Sequence, residues 1–278
     1  MRKDYNILLR KARKKVRTLR LWDDTLALCY ARRVSITGGT LMEKVIYVLW
    51  RDATVTQQAF NTRLRGETAE RLLAAKAHAV RVNVCDEAVA PAAPLRQVST
   101  RPQMEAVIQV WLNSSLDRFR LPIDEIVREA APRMAAYLVT ESQIIPNTLH
   151  PPKKGQRTEG FLQVVFLQRP PRLTREAWLH IWQKFHTAVG VDTQSNFEYV
   201  QNPVIHALTH AAPVYDAMIE ECFPAAAMTN PQAFYDAVGD EEKFQRNLKT
   251  MMDSVARFID FDKLDVLPTS QYVIKALS

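Results

Sequence analysis

The chain has 278 residues, 47% of them apolar and 24% charged, which suits an ordinary soluble globular protein with room for one large domain or two smaller ones. The formal net charge of +7 is uneven: residues 1–41 hold eleven Lys/Arg against three Asp, a balance of +8, and the remaining 26 basic and 27 acidic residues give −1. A neutral body gives no reason to expect a nucleic-acid surface on the folded part, and no apolar run approaches the length needed to cross a membrane.

Cys29, Cys85 and Cys222 are far apart and odd in number, which argues for a reducing, cytoplasmic setting and against a zinc site. Only seven glycines occur and no phosphate-cradling glycine motif is among them, so nucleotide-binding readings lose their main support. The basic leader, 1–41, is expected to be disordered or not native. Gly38-Gly39 ahead of Met42 fits a purine-rich ribosome-binding tract read in frame, which would make Met42 the natural start.

From residue 42 the pattern predicts a strand at Val45–Trp50, a helix over Thr56–Lys76, and strands at Ala79–Cys85 and Glu105–Asn113 separated by a Pro/Ala-rich loop. A second helix is expected over Pro122–Tyr137, kinked at Pro132, and a fourth strand at Leu138–Ile145. Pro146–Glu159 reads as a linker. The order then recurs. Phe161–Gln168 is strand-like and Thr174–Val189 helical; Phe197–Gln201 and Tyr215–Phe223 are strand-like around a loop at 202–214. A short helix follows Asn230-Pro231, a longer one runs over Asp240–Phe258, and a last strand covers Gln271–Lys275.

A shift of 118 residues lays Val45–Arg51 on Gln163–Arg169, Thr56 on Thr174 and Leu64 on Trp182; a slightly different shift lays Glu105–Leu112 on Asp216–Phe223. Two copies of a β-α-β-β-α-β module are therefore expected, 42–147 and 159–278. The first has Thr68 where the second has His186, and Gln109 where it has Glu220.

The helix from Thr174 is the most informative stretch. Thr174 is a good N-cap, Glu176 suits the first turn, and Trp178, Ile181, Trp182, Phe185 and Val189 make one apolar face. At about 100° per residue His186 falls roughly 40° from Trp182, at the edge of that face. In Tyr215–Phe223 alternate residues share a face, so Asp216, Met218, Glu220 and Cys222 point one way and Ala217, Ile219, Glu221 and Phe223 the other. The more apolar set suits the helix, which aims Glu220, Met218 and Cys222 at a cavity. A carboxylate beside an imidazole would make a proton-transfer pair.

Thr174-x-Glu176-x-Trp178-x-x-x-Trp182-x-x-x-His186, Tyr199-Val200-Gln201-Asn202, Tyr215 to Glu220 and Asp240-Glu241-x-x-Phe244 together resemble the EthD family. Trp178 stands where Phe is commoner, and Ala217 where Gly is usual. The resemblance implies an α+β fold of two ferredoxin-like units pairing their sheets as a dimeric α/β barrel, within this one chain or as a homodimer. It further implies an enzyme, or an accessory to a monooxygenase system, acting on a small aromatic or apolar molecule by lyase, isomerase or cofactor-free oxidative chemistry. His186 and Glu220 would be catalytic, and Trp178, Trp182, Tyr199, Met218 and Arg169 would bind substrate. A non-catalytic carrier is the alternative. Haem held by the helical histidine is a further one, as related barrels use such a residue. His206 and His210 have a metal-compatible spacing only if helical, and no acidic ligand lies near them in sequence, so no metal site is expected.

Overall fold

The structure is a computed structural model that describes residues 42–277; the leader read at 1–41 lies outside the described residues. In the first half β1 (Glu43–Trp50), β2 (Ala79–Val84), β3 (Ala106–Leu112) and β4 (Arg133–Val139) stand in the order β4-β1-β3-β2. After a short β5 (Ser142–Ile145), the second half supplies β6 (Phe161–Leu167), β7 (Glu198–Ala207), β8 (Ala217–Phe223) and β9 (Leu264–Lys275), ordered β9-β6-β8-β7. Each half thus has the ferredoxin-like order, with its first and third strands at the centre. Antiparallel pairing of β2 with β9 and of β4 with β7 closes eight strands into a ring, with β5 added beside β7. The chain is a dimeric α/β barrel closed on itself, which leaves neither half with the exposed edges it would have alone.

The helices lie outside. In the first half, α1 (Gln57–Arg63) passes through a π turn, Leu64–Thr68, into α2 (Ala69–Ala74), and α3 (Asp117–Ala130) packs beside it. In the second, α4 (Arg175–His180) passes through a π turn, Ile181–His186, into α5 (Thr187–Thr193); α6 (Pro231–Phe234) and α7 (Glu241–Val255) follow. The cap expected at Thr174 forms, its Oγ1 accepting from Ala177 N at 3.2 Å, and Thr56 Oγ1 accepts from Ala59 N in the same way at 3.2 Å. Asp240 Oδ1 accepts from Lys243 N at 2.8 Å.

Three sequence expectations need correction. The helix expected at Pro122–Tyr137 is α3, which starts at Asp117 and stops before Pro132; Arg133–Tyr137 belong to β4, because β1 is available to pair with them. The strand at Phe197–Gln201 continues to Ala207 through Pro203, whose carbonyl accepts from Thr140 N. The last strand begins at Leu264, not Gln271, and pairs with β6 before it reaches β2.

Strand alternation sorts side chains into three layers. Val45, Tyr47, Leu49, Ile108 and Val110 face the first half's helices; Val165, Leu167, Ala217 and Ile219 face the second's. Ile46, Val48, Val107, Val164, Phe166, Met218 and Leu267 fill the barrel. Gly160, which leads into β6, has φ +76°, and a Cβ there would lie 2.0 Å from the Phe223 carbonyl oxygen. Gly160→Ala should therefore cost about 2–3 kcal/mol, read as a lower urea midpoint with an unchanged slope.

Candidate functional site

The barrel buries Glu220 completely, although a hollow of about 450 Å³ reaches its neighbours Arg81, Glu141 and Glu198. At one end the barrel contains a buried ionic network. Lys44 Nζ donates to Glu220 Oε1 (3.1 Å), Glu141 Oε1 (2.7 Å) and Asn202 Oδ1 (2.8 Å). Arg81 Nη1 lies 3.1 Å from Glu220 Oε2 and 3.2 Å from Glu198 Oε1, and Gln109 Nε2 donates to Glu220 Oε2 at 2.6 Å. Burial alone would raise the Glu220 carboxyl; Lys44, Arg81 and the Gln109 amide more than offset it and hold it at about 2. Such a carboxylate is charged at neutral pH and fully engaged.

A cavity of about 550 Å³ lies on the other side of the sheet, between it and the helices of the second half. Its floor comes from neighbouring strands. Tyr199, Glu221 and Gln163 stand opposite one another on β7, β8 and β6, and Ile219, Val165 and Val266 form the next row on β8, β6 and β9. Met251, Val255 and Ile259 cover it from α7 and just beyond, and exposed Met252 and Phe261 sit at its rim.

His186 ends the π turn and borders this cavity, with only 8% of its surface exposed. Its Nδ1 lies 2.9 Å from Ser254 Oγ on α7, and its ring packs on Phe258 with centroids 4.7 Å apart. Among the described residues no carboxylate is within salt-bridge distance of it, and burial lowers the imidazole to about 4. The ring is neutral at pH 7, able to donate from one nitrogen and accept at the other.

Glu221 borders the same cavity. The residue is half-buried, and part of its side chain opens on the hollow. Burial raises the Glu221 carboxyl to about 7, against the pull of Asn196 Nδ2, which donates to Oε1 at 3.2 Å. Gln163 Oε1, on the strand alongside, is buried with no hydrogen-bond partner. The Tyr199 hydroxyl accepts from Gln201 Nε2 at 2.8 Å, and burial raises its pKa.

The residues singled out in sequence are thus divided. His186 and Tyr199 border the cavity. Glu220 and Met218 face into the barrel, across the sheet from His186, so the expected His186–Glu220 pair does not form. Trp178 and Trp182 are fully buried in the core beneath α4, 5.2 Å apart between ring centroids, and line no part of the cavity. Trp178 Nε1 donates to Phe258 O at 3.0 Å, which anchors the chain just after α7. Arg169 holds the turn before α4: its guanidinium donates to Leu173 O, and its backbone N–H to Asp216 Oδ2 at 2.8 Å. His206 lies in β7 and His210 in the turn beyond it, so their spacing of four is not helical.

Glu221, Gln163 and the Lys44–Arg81 network were missed. The first two carried a legible signal, being the only charged or amide side chains on the helix-facing sides of β8 and β6. Lys44 and Arg81 carried the converse signal, each a cation at an inward position of a largely apolar strand.

Among the described residues no helix is long and apolar enough to cross a membrane, and no three His, Cys, Asp or Glu side chains gather as a metal site would require. No curated protein matches the chain. Among solved structures, an anthrone oxidase-like protein is similar at 8% identity with a TM-score of 0.49, covering 87% of this chain and 96% of its own. A protein of Lactobacillus acidophilus, provisionally described as a monooxygenase, is similar at 11% identity and a TM-score of 0.43, covering 84% and 97%. A chlorite dismutase variant from Candidatus Nitrospira defluvii gives 8% and 0.40, covering 88% and 96%. Residues 170–262, which run from the turn before α4 to the approach of β9 and include both His186 and Glu221, match the EthD domain. The match to the EthD domain thus falls within the second half of this barrel.

Proposed function

We propose that the chain binds a small apolar or aromatic molecule in the cavity between the second half's sheet and helices, and moves a proton there with Glu221 and His186. One observation carries the reading: two titratable groups shifted in opposite directions border one largely apolar hollow. A carboxyl near 7 is poised to take or give a proton at neutral pH. A neutral imidazole can donate a hydrogen bond to oxygen that gains negative charge, without itself ionising. Proton transfer is then assigned first to Glu221, with His186 assisting; Glu220 keeps a structural role.

On the same reading residues 42–147 are a copy of 159–278 in which this function was lost. At the two shifts noted above, Val110 stands for Glu221, Tyr47 for Val165 and Thr68 for His186, and the space under the first half's helices is packed by Phe60, Leu64, Tyr47 and Ile123. Haem does not fit this donor set, because the lining offers no lysine or arginine to meet its two carboxylates.

The test uses 1-naphthol, a neutral aromatic probe, titrated by calorimetry. Wild type should bind it, and Ile219→Trp, which fills the floor, should weaken binding at least about tenfold. Met252→Trp, at the exposed rim, gives a second block that does not disturb the core. Absence of binding, or binding indifferent to both variants, would overturn the proposal.

A further inference from the structure

We infer that a segment of the first half, residues 87–103, sets what the second half's cavity admits, with Leu95 as the residue that limits ligand size and Asp265 as the residue that positions the segment. The inference rests on the cavity reading above and adds to it a specificity element from outside the EthD domain. After β2 the chain does not return directly to β3. It forms a 3₁₀ helix, Glu87–Leu95, that contains Pro91 and Pro94, then crosses onto the other half. There Gln97 and Val266 exchange backbone hydrogen bonds, Gln97 N to Val266 O at 3.2 Å and Val266 N to Gln97 O at 3.0 Å. Val266 already ends the floor row Ile219–Val165–Val266, so Gln97 lengthens that row by one position beyond β9. Pro94, Leu95 and Gln97 therefore wall the cavity on its β9 side, and Leu95 packs against the cluster of Phe161, Phe223 and Met228.

What fixes this wall is Asp265, fully buried one residue before Val266. Its carboxylate accepts from Ser99 N (3.0 Å), Ser99 Oγ (3.0 Å), Thr100 N (3.1 Å), Gln103 Nε2 (3.3 Å) and Tyr215 OH (3.3 Å). Among its partners there is no cation. A buried carboxylate satisfied chiefly by donors of one crossing segment holds that segment at a fixed distance from the floor, because each donor withdrawn leaves charge unsatisfied. Two prolines stiffen the stretch before it, so the position of Leu95 is set from both ends.

The experiment compares two neutral fluorescent phenols of different size, 1-naphthol and 1-hydroxypyrene, on the full chain. Wild type should prefer 1-naphthol. Leu95→Ala should leave 1-naphthol binding within threefold of wild type and improve 1-hydroxypyrene binding at least about tenfold, since a few methylenes at a cavity wall discriminate on that scale. Asp265→Asn, similar in shape but unable to accept at the amide nitrogen, should shift the ratio in the same direction and speed amide exchange at Ser99 and Thr100. If wild type binds 1-naphthol and Ile219→Trp blocks it, yet Leu95→Ala leaves the ratio of the two affinities unchanged, the wall has no such role and the cavity reading survives. If neither phenol binds wild type, both fall. Should Asp265→Asn fail to fold, Leu95→Ala decides alone, because its side chain is only half-buried.

Discussion

Glu220→Ala should destabilise the fold by about 3–5 kcal/mol, as expected when one member of a buried ionic network is removed and its partners remain. Lys44 would keep Glu141 and Asn202, but the Arg81 guanidinium would keep only Glu198 as a close anionic partner, and the Gln109 amide would lose its 2.6 Å acceptor. Glu220 and Gln109 are fully buried inside the ring of strands, so the lost oxygen atoms are not simply replaced by bulk water. Urea unfolding gives the measurement; a change below 1 kcal/mol would mean that the network contributes little. The pH dependence has a definite sign. The folded carboxyl, at about 2, lies below its ordinary value of 4.5, so its contribution is complete above pH 4.5 and is lost as pH falls from there toward 2. Glu220→Gln should flatten that part of the acid limb.

That network also explains where the sequence was legible and where it was not. Strand alternation assigned both faces of β8 as found, Ala217 and Ile219 toward the helices and Met218 and Glu220 away from them. Periodicity gives faces, however, and does not say which face adjoins empty space. A ring of eight strands is narrow enough for its own side chains to fill, and here Lys44, Arg81 and Gln109 enclose the Glu220 carboxylate, while His186 borders a hollow on the helix side of the sheet. The α4–α5 helix shows the same division. Its Thr174 cap, its buried indoles and the inward turn of His186 followed from local spacing. The partner of His186 did not, because Ser254 lies 68 residues away on α7 and only the packing of that helix brings it near. The first half of β9 was hidden for a related reason. Asp265, Pro268, Thr269 and Ser270 look like loop residues, and they become strand only because β6 offers them a ladder and residues 99–103 satisfy Asp265.

A general proton-transfer probe can reveal the chemistry of the cavity without knowledge of its natural ligand. In 5-nitrobenzisoxazole, removal of the C3 proton drives cleavage of the N–O bond and yields a nitrocyanophenolate, so an apolar site with a correctly placed base accelerates it. Glu221 carboxylate is the stronger base of the two candidates, since its conjugate acid titrates at about 7 and that of His186 at about 4. The rate with wild type should therefore rise with pH through an inflection near 7. Glu221→Gln should lower kcat/KM by about 10²–10⁴ and abolish the inflection. His186→Gln should cost less and leave the inflection in place, because it removes a hydrogen-bonding partner and not the base. A profile that titrates near 4 and collapses only in His186→Gln would transfer the base to the imidazole. Acceleration no greater than that given by the Glu221→Gln variant, with 1-naphthol still bound, would identify the cavity as a carrier's.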